Sequence, residues 1–150
     1  MEEQDVVVKF TRMIPEANAP TRGSHLAAGW DLRALEETVV SKGTSSKVRT
    51  GLKIAIPAGW EGQIRARSSL ASKGLILPNA PGTIDADYRG ELMILMTWIG
   101  EGDTFILQSG ERLAQLIISR VPEVTFIEVS EIELGDTERG DGGFGSTGKY

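Results

Sequence analysis

The 150-residue sequence predicts an all-β fold, a jelly-roll or barrel-like sandwich with one short helix and a flexible glycine-rich C-terminal arm. Three observations carry that expectation. Short runs of alternating apolar and polar residues recur at regular intervals, glycines such as Gly43, Gly51 and Gly59 stand at the breaks, and apolar spacing of helical period is almost absent. A single domain is expected over residues 1–150, with 136–150 as the arm. The length and the 40% hydrophobic content suffice for one core, and no repeat or linker interrupts the pattern.

In chain order, residues 6–10 form a β-branched run, and residues 15–25 are turn-rich, with Pro15, Asn18, Pro20 and Gly23 breaking any helix. His25 lies in that loop and is given no role. Ala27-Ala28-Gly29-Trp30-Asp31-Leu32-Arg33-Ala34 then places one carboxylate between small residues and an apolar pair. Asp31 suits either a turn that caps nearby amides or a hard oxygen partner for Mg²⁺. Strands are expected at 38–40, 46–49, 52–57 and 63–67. The exception is Arg67-Ser68-Ser69-Leu70-Ala71-Ser72-Lys73-Gly74, which reads as a short helix with Ser68 near its start and Gly74 as its C-cap. A helix start with hydroxyls and a guanidinium beside it is equally a plain capped helix or an anion site.

The chain is organised around residues 81–91, Pro-Gly-Thr-Ile-Asp-Ala-Asp-Tyr-Arg-Gly-Glu, flanked by β-friendly runs at 74–77 and 92–99. This reads as a hairpin tip whose main-chain groups can pair with a planar base, whose carboxylates can orient water or metal, and whose Tyr88 can floor a small pocket. The strand at 91–99 is apolar on both faces, which suits the core or a subunit contact. A strand follows at 105–107. Gly110-Glu111-Arg112-Leu113-Ala114-Gln115-Leu116 then feeds another strand, in which the Gln115 amide needs a partner if buried. A last strand is expected at 124–129.

Residues 139–148 carry five glycines with Arg139 and Phe144 embedded among them. Such a frame can converge N–H groups on an anion and offer a ring to a base. Gly143 to Lys149 imitates the start of a P-loop, but Tyr150 stands where Ser or Thr is needed, so that reading fails.

Composition narrows the function. A net charge of −5 and few aromatics (three Trp, two Tyr, four Phe) argue against a nucleic-acid coat. The absence of cysteine removes thiol nucleophiles, thiolate metal sites and disulfides, and a single histidine removes any two-imidazole site. The start, Met1-Glu2-Glu3-Gln4-Asp5, is acidic where a secretory signal is basic, and no apolar run approaches the roughly 18 residues of a membrane span. A soluble intracellular protein, cytoplasmic or nuclear, with no membrane or nucleic-acid partner is expected.

Five stretches taken together, Ala28 to Leu32, Arg67 to Gly74, Gly82 to Glu91, Gly110 to Leu116 and Arg139 to Gly148, resemble the trimeric deoxyuridine triphosphatases in that family's own order. The resemblance implies a jelly-roll homotrimer whose active sites are assembled from more than one subunit. Its reaction would be Mg²⁺-dependent hydrolysis of dUTP to dUMP and pyrophosphate by attack of water on the α-phosphorus, lowering dUTP and supplying dUMP for thymidylate synthesis. It implies Asp85 as general base and Asp31 as a metal partner through water. Arg67, Ser68, Ser69 and Gln115 would meet the phosphates, and Asn79 with Thr83, Ile84 and Asp85 would read uracil. Tyr88 would pack on the deoxyribose, and Arg139, Phe144, Gly145, Ser146 and Thr147 would close over the nucleotide. Two residues depart from the family pattern. Trp30 stands where Tyr is commoner and is expected to fill core space, and Ser69 stands where Gly is common. A dCTP deaminase of the same fold is disfavoured by the Tyr88 hairpin and the complete arm. A nucleotide-responsive regulator is disfavoured by Asp85 beside a full phosphate site, and a structural protein explains none of the five stretches.

Overall fold

The computed structural model describes residues 5–145 and 148. In chain order the elements are β1 (Lys9–Arg12), β2 (Trp30–Arg33), β3 (Thr38–Ser41), β4 (Ser46–Arg49), β5 (Leu52–Ala55), β6 (Trp60–Ala66), α1 (Ser68–Ala71), β7 (Leu75–Ile76), β8 (Gly82–Ile84), β9 (Met93–Trp98), β10 (Thr104–Leu107), β11 (Arg112–Arg120) and α2 (Glu131–Leu134). The fold is an all-β sandwich. One sheet runs β2-β11-β6-β8 and another β4-β9-β7, with the two-stranded pairs β1-β5 and β10-β3 completing it. All strand pairs are antiparallel. Among the described residues no helix is long and apolar enough to cross a membrane.

The alternation that marks these segments as strands also fills the core. Along β9, Ile94, Met96 and Trp98 point inward while Met93 is exposed, so this strand has one buried face, not the two expected from its composition. Ile54, Ile64, Leu113 and Leu116 meet it in one apolar cluster with Val40, Val48 and Leu75. Each such side chain contributes about 1.5–3 kcal/mol of transfer free energy.

The helices differ from expectation in detail. Helix α1 ends at Ser72, its C-cap in right-handed conformation, so Gly74 is not the cap. Gly74 has another duty. Its φ of +112° lies in the left-handed region, its N–H donates to the Leu70 and Ala71 carbonyls, and a Cβ on it would strike the Gly100 backbone. That contact closes the β7–β9 pair, where Gly74 O accepts from Ile99 N at 2.9 Å. Gly74→Ala is therefore expected to destabilise the fold by about 2–4 kcal/mol, checked as a lowered urea midpoint with unchanged slope.

A second helix, α2, joins the one expected. Its signal is the capping box Ser130-Glu131-Ile132-Glu133, in which Ser130 Oγ accepts from Glu133 N at 3.2 Å and donates to Glu133 Oε1 at 3.1 Å. The strand expected at 124–129 is absent. The chain leaves the sheet after Val121 N donates to Gly59 O, and residues 122–130 are exposed and unpaired with any strand of this chain. The run has strand-forming composition, but a strand needs an edge to pair with, and this chain offers none there.

Candidate active site

The expected hairpin at 74–99 exists with a wider excursion than a simple tip. Leu75 and Ile76 pair with Trp98 and Thr97, while Gly82–Ile84 crosses over to pair with Gly62–Ile64 of β6. This tie leaves residues 85–91 as the projecting loop. Within it Tyr88 N donates to Asp85 O at 3.1 Å, a turn that folds Tyr88 back beside Asp85. Thr83, Ile84, Asp85 and Tyr88 together line a cleft of about 230 Å³. Asn79 is exposed beside this segment, its Nδ2 within 3.5 Å of where a Cβ on Gly82 would stand. Lys47, Glu91 and Met93 complete the cleft wall. Sequence reasoning gave Lys47 and Met93 no part in the site. They arrive through β4–β9 pairing, a long-range register with no local signature.

A second group gathers at the far end of β6. Gln115 of β11 lies directly opposite Asp31 of β2 on one side and Arg65 of β6 on the other, so the three side chains form a row on one face of the sheet. Arg65 is an addition that the register reveals, and its Nη2 donates to Gln63 Oε1 at 2.9 Å. Asp31 is largely buried, with 12% of its side chain accessible, and its Oδ2 lies 3.7 Å from Arg112 Nη1. Arg67 Nη1 donates to Arg112 O at 3.2 Å, which draws Arg67 toward the same row. Ser68 and Ser69 are exposed at the start of α1, and neither hydroxyl caps the helix. The group brings three guanidinium groups, an amide and two hydroxyls to one end of the sheet, a donor set suited to a polyanion.

These two groups do not meet in one protomer. Ile84 pairs with Gly62, and Asp85 continues from there toward the Trp60 end of β6, whereas Arg67 follows the opposite end of that strand. The five residue steps from Gly62 to Arg67 span about 17 Å of extended chain.

Among the described residues no three His, Cys, Asp or Glu side chains cluster as a metal cage. A lone carboxylate such as Asp31 suits a hydrated Mg²⁺ carried by a phosphate ligand, since that ion keeps several waters and takes one or two carboxylates. Among the described residues, neither Arg139 nor Phe144 lines the cleft or bonds to the row on the sheet. Arg139 Nε donates to Gly142 O at 2.6 Å, and Phe144 and Gly145 are exposed. Ser146 and Thr147 lie outside the described residues. Trp30 is not in the core. It is 38% exposed, with the Arg22 guanidinium 4.8 Å over its ring: it shares the face of β2 that buries Leu32 but stands at the first position of the strand, where it lines an apolar groove with Leu116 and Ile118.

The family model for dUTPase matches residues 15–148. The chain is 47% identical over 130 residues to the deoxyuridine 5′-triphosphate nucleotidohydrolase of Zymomonas mobilis, covering 86% of this chain and 87% of that protein. It is 43% identical over 145 residues to the protein of the same name from Solibacter usitatus, covering 95% and 96%. Among solved structures it is similar to the Staphylococcus bacteriophage 80alpha dUTPase with dUpNHpp, at a TM-score of 0.76 and 27% identity, covering 95% of this chain and 99% of that one.

Proposed function

The chain belongs to the dUTPase family, and from that premise we propose how its residues carry out the reaction, the hydrolysis of dUTP to dUMP and pyrophosphate. Asp85 takes a proton from a water molecule as the water oxygen bonds to the α-phosphorus. The bond from that phosphorus to the bridging oxygen of the β-phosphate breaks, and pyrophosphate departs. The observation that carries this reading is that Asp85 and Tyr88 share one cleft with the Thr83–Ile84 backbone. In it, Asn79 and the main chain at Thr83, Ile84 and Asp85 read the uracil edge, and the Tyr88 ring walls the deoxyribose. Arg67, Ser68, Ser69 and Gln115 hold the phosphates. When bound, Mg²⁺ neutralises charge on the triphosphate, and Asp31 would hold it through water. Arg139, Phe144, Gly145, Ser146 and Thr147, on an arm spanning 136–150 of a single domain, close over the nucleotide.

The assembly is a homotrimer with shared sites. Two features support this. Asp85 and the phosphate-facing group sit at opposite ends of β6, so a second protomer is needed to bring them to one substrate. The segment after β11 also carries Phe126 and Ile127 almost fully exposed, while Val6, Val8, Phe10, Trp30, Trp60 and Ile118 line an apolar groove of about 510 Å³. Burial of both on a neighbouring copy removes an apolar surface that a monomer would leave in water.

The test is pyrophosphate release from dUTP, dTTP, dCTP and UTP with Mg²⁺. The rate on dUTP is expected to exceed each of the others by about 10²-fold or more, since a site built on fixed hydrogen bonds penalises a mispaired edge heavily. Comparable rates on all four would reject the reading.

A further inference from the structure

Tyr88 is held by groups to which the reaction as described assigns no role. Its hydroxyl donates to the Glu91 carbonyl at 2.9 Å, and its ring lies so close to Gly90 that a Cβ there would fall 2.6 Å from Tyr88 Cζ. The ring is thus held between the Glu91 carbonyl at its hydroxyl and the Gly90 backbone beside it. Glu91 is itself 8% exposed, a buried carboxylate. Arg49 grips it as a fork, with Nε donating to both carboxylate oxygens at 3.1 Å and Nη2 donating to Oε1 at 3.0 Å. Arg49 belongs to β4 and stands opposite Met93 of β9, so the fork is fixed to the sheet.

The residue after Glu91 is fixed as well. Leu92 N donates to Leu52 O at 2.8 Å, and Leu92 O accepts from Thr50 Oγ1 at 2.7 Å and Thr50 N at 3.3 Å. Residue 91 is therefore the junction between a backbone locked into the sheet and the loop that carries Asp85 and Tyr88. The Glu91 carbonyl shares a planar peptide with Leu92 N and is fixed by the same bond, so the remaining freedom at this junction lies in the Gly90–Glu91 peptide and in the side chain that Arg49 holds.

We infer that the Arg49–Glu91 pair is a positioning device that sets where the Tyr88 ring stands, and through it how strictly the site excludes the 2′-hydroxyl of a ribonucleotide. The inference rests on the reading of Tyr88 as the wall of the sugar subsite. Breaking the fork leaves a buried carboxylate without its partner, and such a charge turns toward water, shifting the Gly90–Glu91 peptide that packs against the Tyr88 ring. The Arg49 guanidinium agrees with a tight fork, since the hydrogen bond to Glu91 and then the charge of Glu91 raise its pKa above the usual value.

The test measures kcat and KM on dUTP and on UTP for the wild type, Arg49→Met, Arg49→Lys, Glu91→Gln and Tyr88→Ala, with sizing and circular dichroism on each. Arg49→Met is expected to lower the dUTP-to-UTP ratio of kcat/KM about tenfold, the scale of one lost charged hydrogen bond, with the loss on dUTP carried by KM. Arg49→Lys is expected to retain part of the ratio, and Glu91→Gln to lower it about threefold while keeping the side-chain shape. Equal losses on both substrates, with the ratio unchanged, would mean the pair is merely structural and would overturn the inference. If Arg49→Met does not fold, Glu91→Gln carries the same decision. An unchanged ratio in Tyr88→Ala would instead reject the sugar-wall reading. A fall in Tyr88→Ala without one in Arg49→Met or Glu91→Gln rejects the positioning role alone.

Discussion

Asp85→Asn is expected to lower dUTP turnover by about 10³-fold while leaving substrate affinity within a few-fold of the wild type, because an amide keeps the shape of the side chain and cannot accept the proton from water. The substitution is mild structurally. Asp85 is exposed, it follows the last residue of β8, and the turn it makes with Tyr88 uses its backbone carbonyl, which the variant retains. The measurement is single-turnover release of pyrophosphate beside equilibrium binding of a non-hydrolysable dUTP analogue. Turnover near the wild-type level would remove Asp85 from the base role. Loss of binding together with turnover would make it a recognition residue.

The second large effect is gain of activity by mixing two dead proteins. Arg67→Ala removes a guanidinium from the group proposed to hold the phosphates and is expected to cost about 10²-fold in kcat/KM, as loss of a charged contact to a polyanion does. Asp85→Asn disables the other group. If each site takes its Asp85 from one protomer and its Arg67 from another, random co-assembly of equal amounts of the two variants leaves about one quarter of the sites with both native residues. Co-expressed chains are then expected to regain about a quarter of wild-type activity. Sites contained within one protomer would regain none. The assay reads assembly and chemistry together, and each variant alone supplies its baseline.

Much of the fold was legible because a half-buried strand writes its period into the chain. Residues 46–49 and 52–55 alternate in sequence and in burial alike. The second helix was also written locally, in Ser130 and Glu133, and was missed where a capping box falls directly after a β-like run. The 124–129 run shows the limit of local reading, since strand propensity says what a segment can pair with, not whether an edge is present. Trp30 failed for a related reason. Its size suggests the core, and it does share a face with buried Leu32, but it stands at the first position of β2, where the packing leaves it 38% exposed.

The site divides in the same way. Asp85, Tyr88 and their neighbours were readable as one contiguous segment. Asp31 and Gln115 stand on different strands, and only the antiparallel register puts them side by side with Arg65. Glu91 ends the segment on which the sequence reading centred, yet its partner Arg49 lies 42 residues away, and nothing near either residue announces the pair.

The opposed ends of β6 have one more consequence. Under the proposed shared-site assembly, a newly made polypeptide carries each half of the reaction centre but does not apply both to the same nucleotide, so it is idle until it finds its companions. Output per chain then depends on how crowded the chains are, falling more steeply than their number as they are diluted.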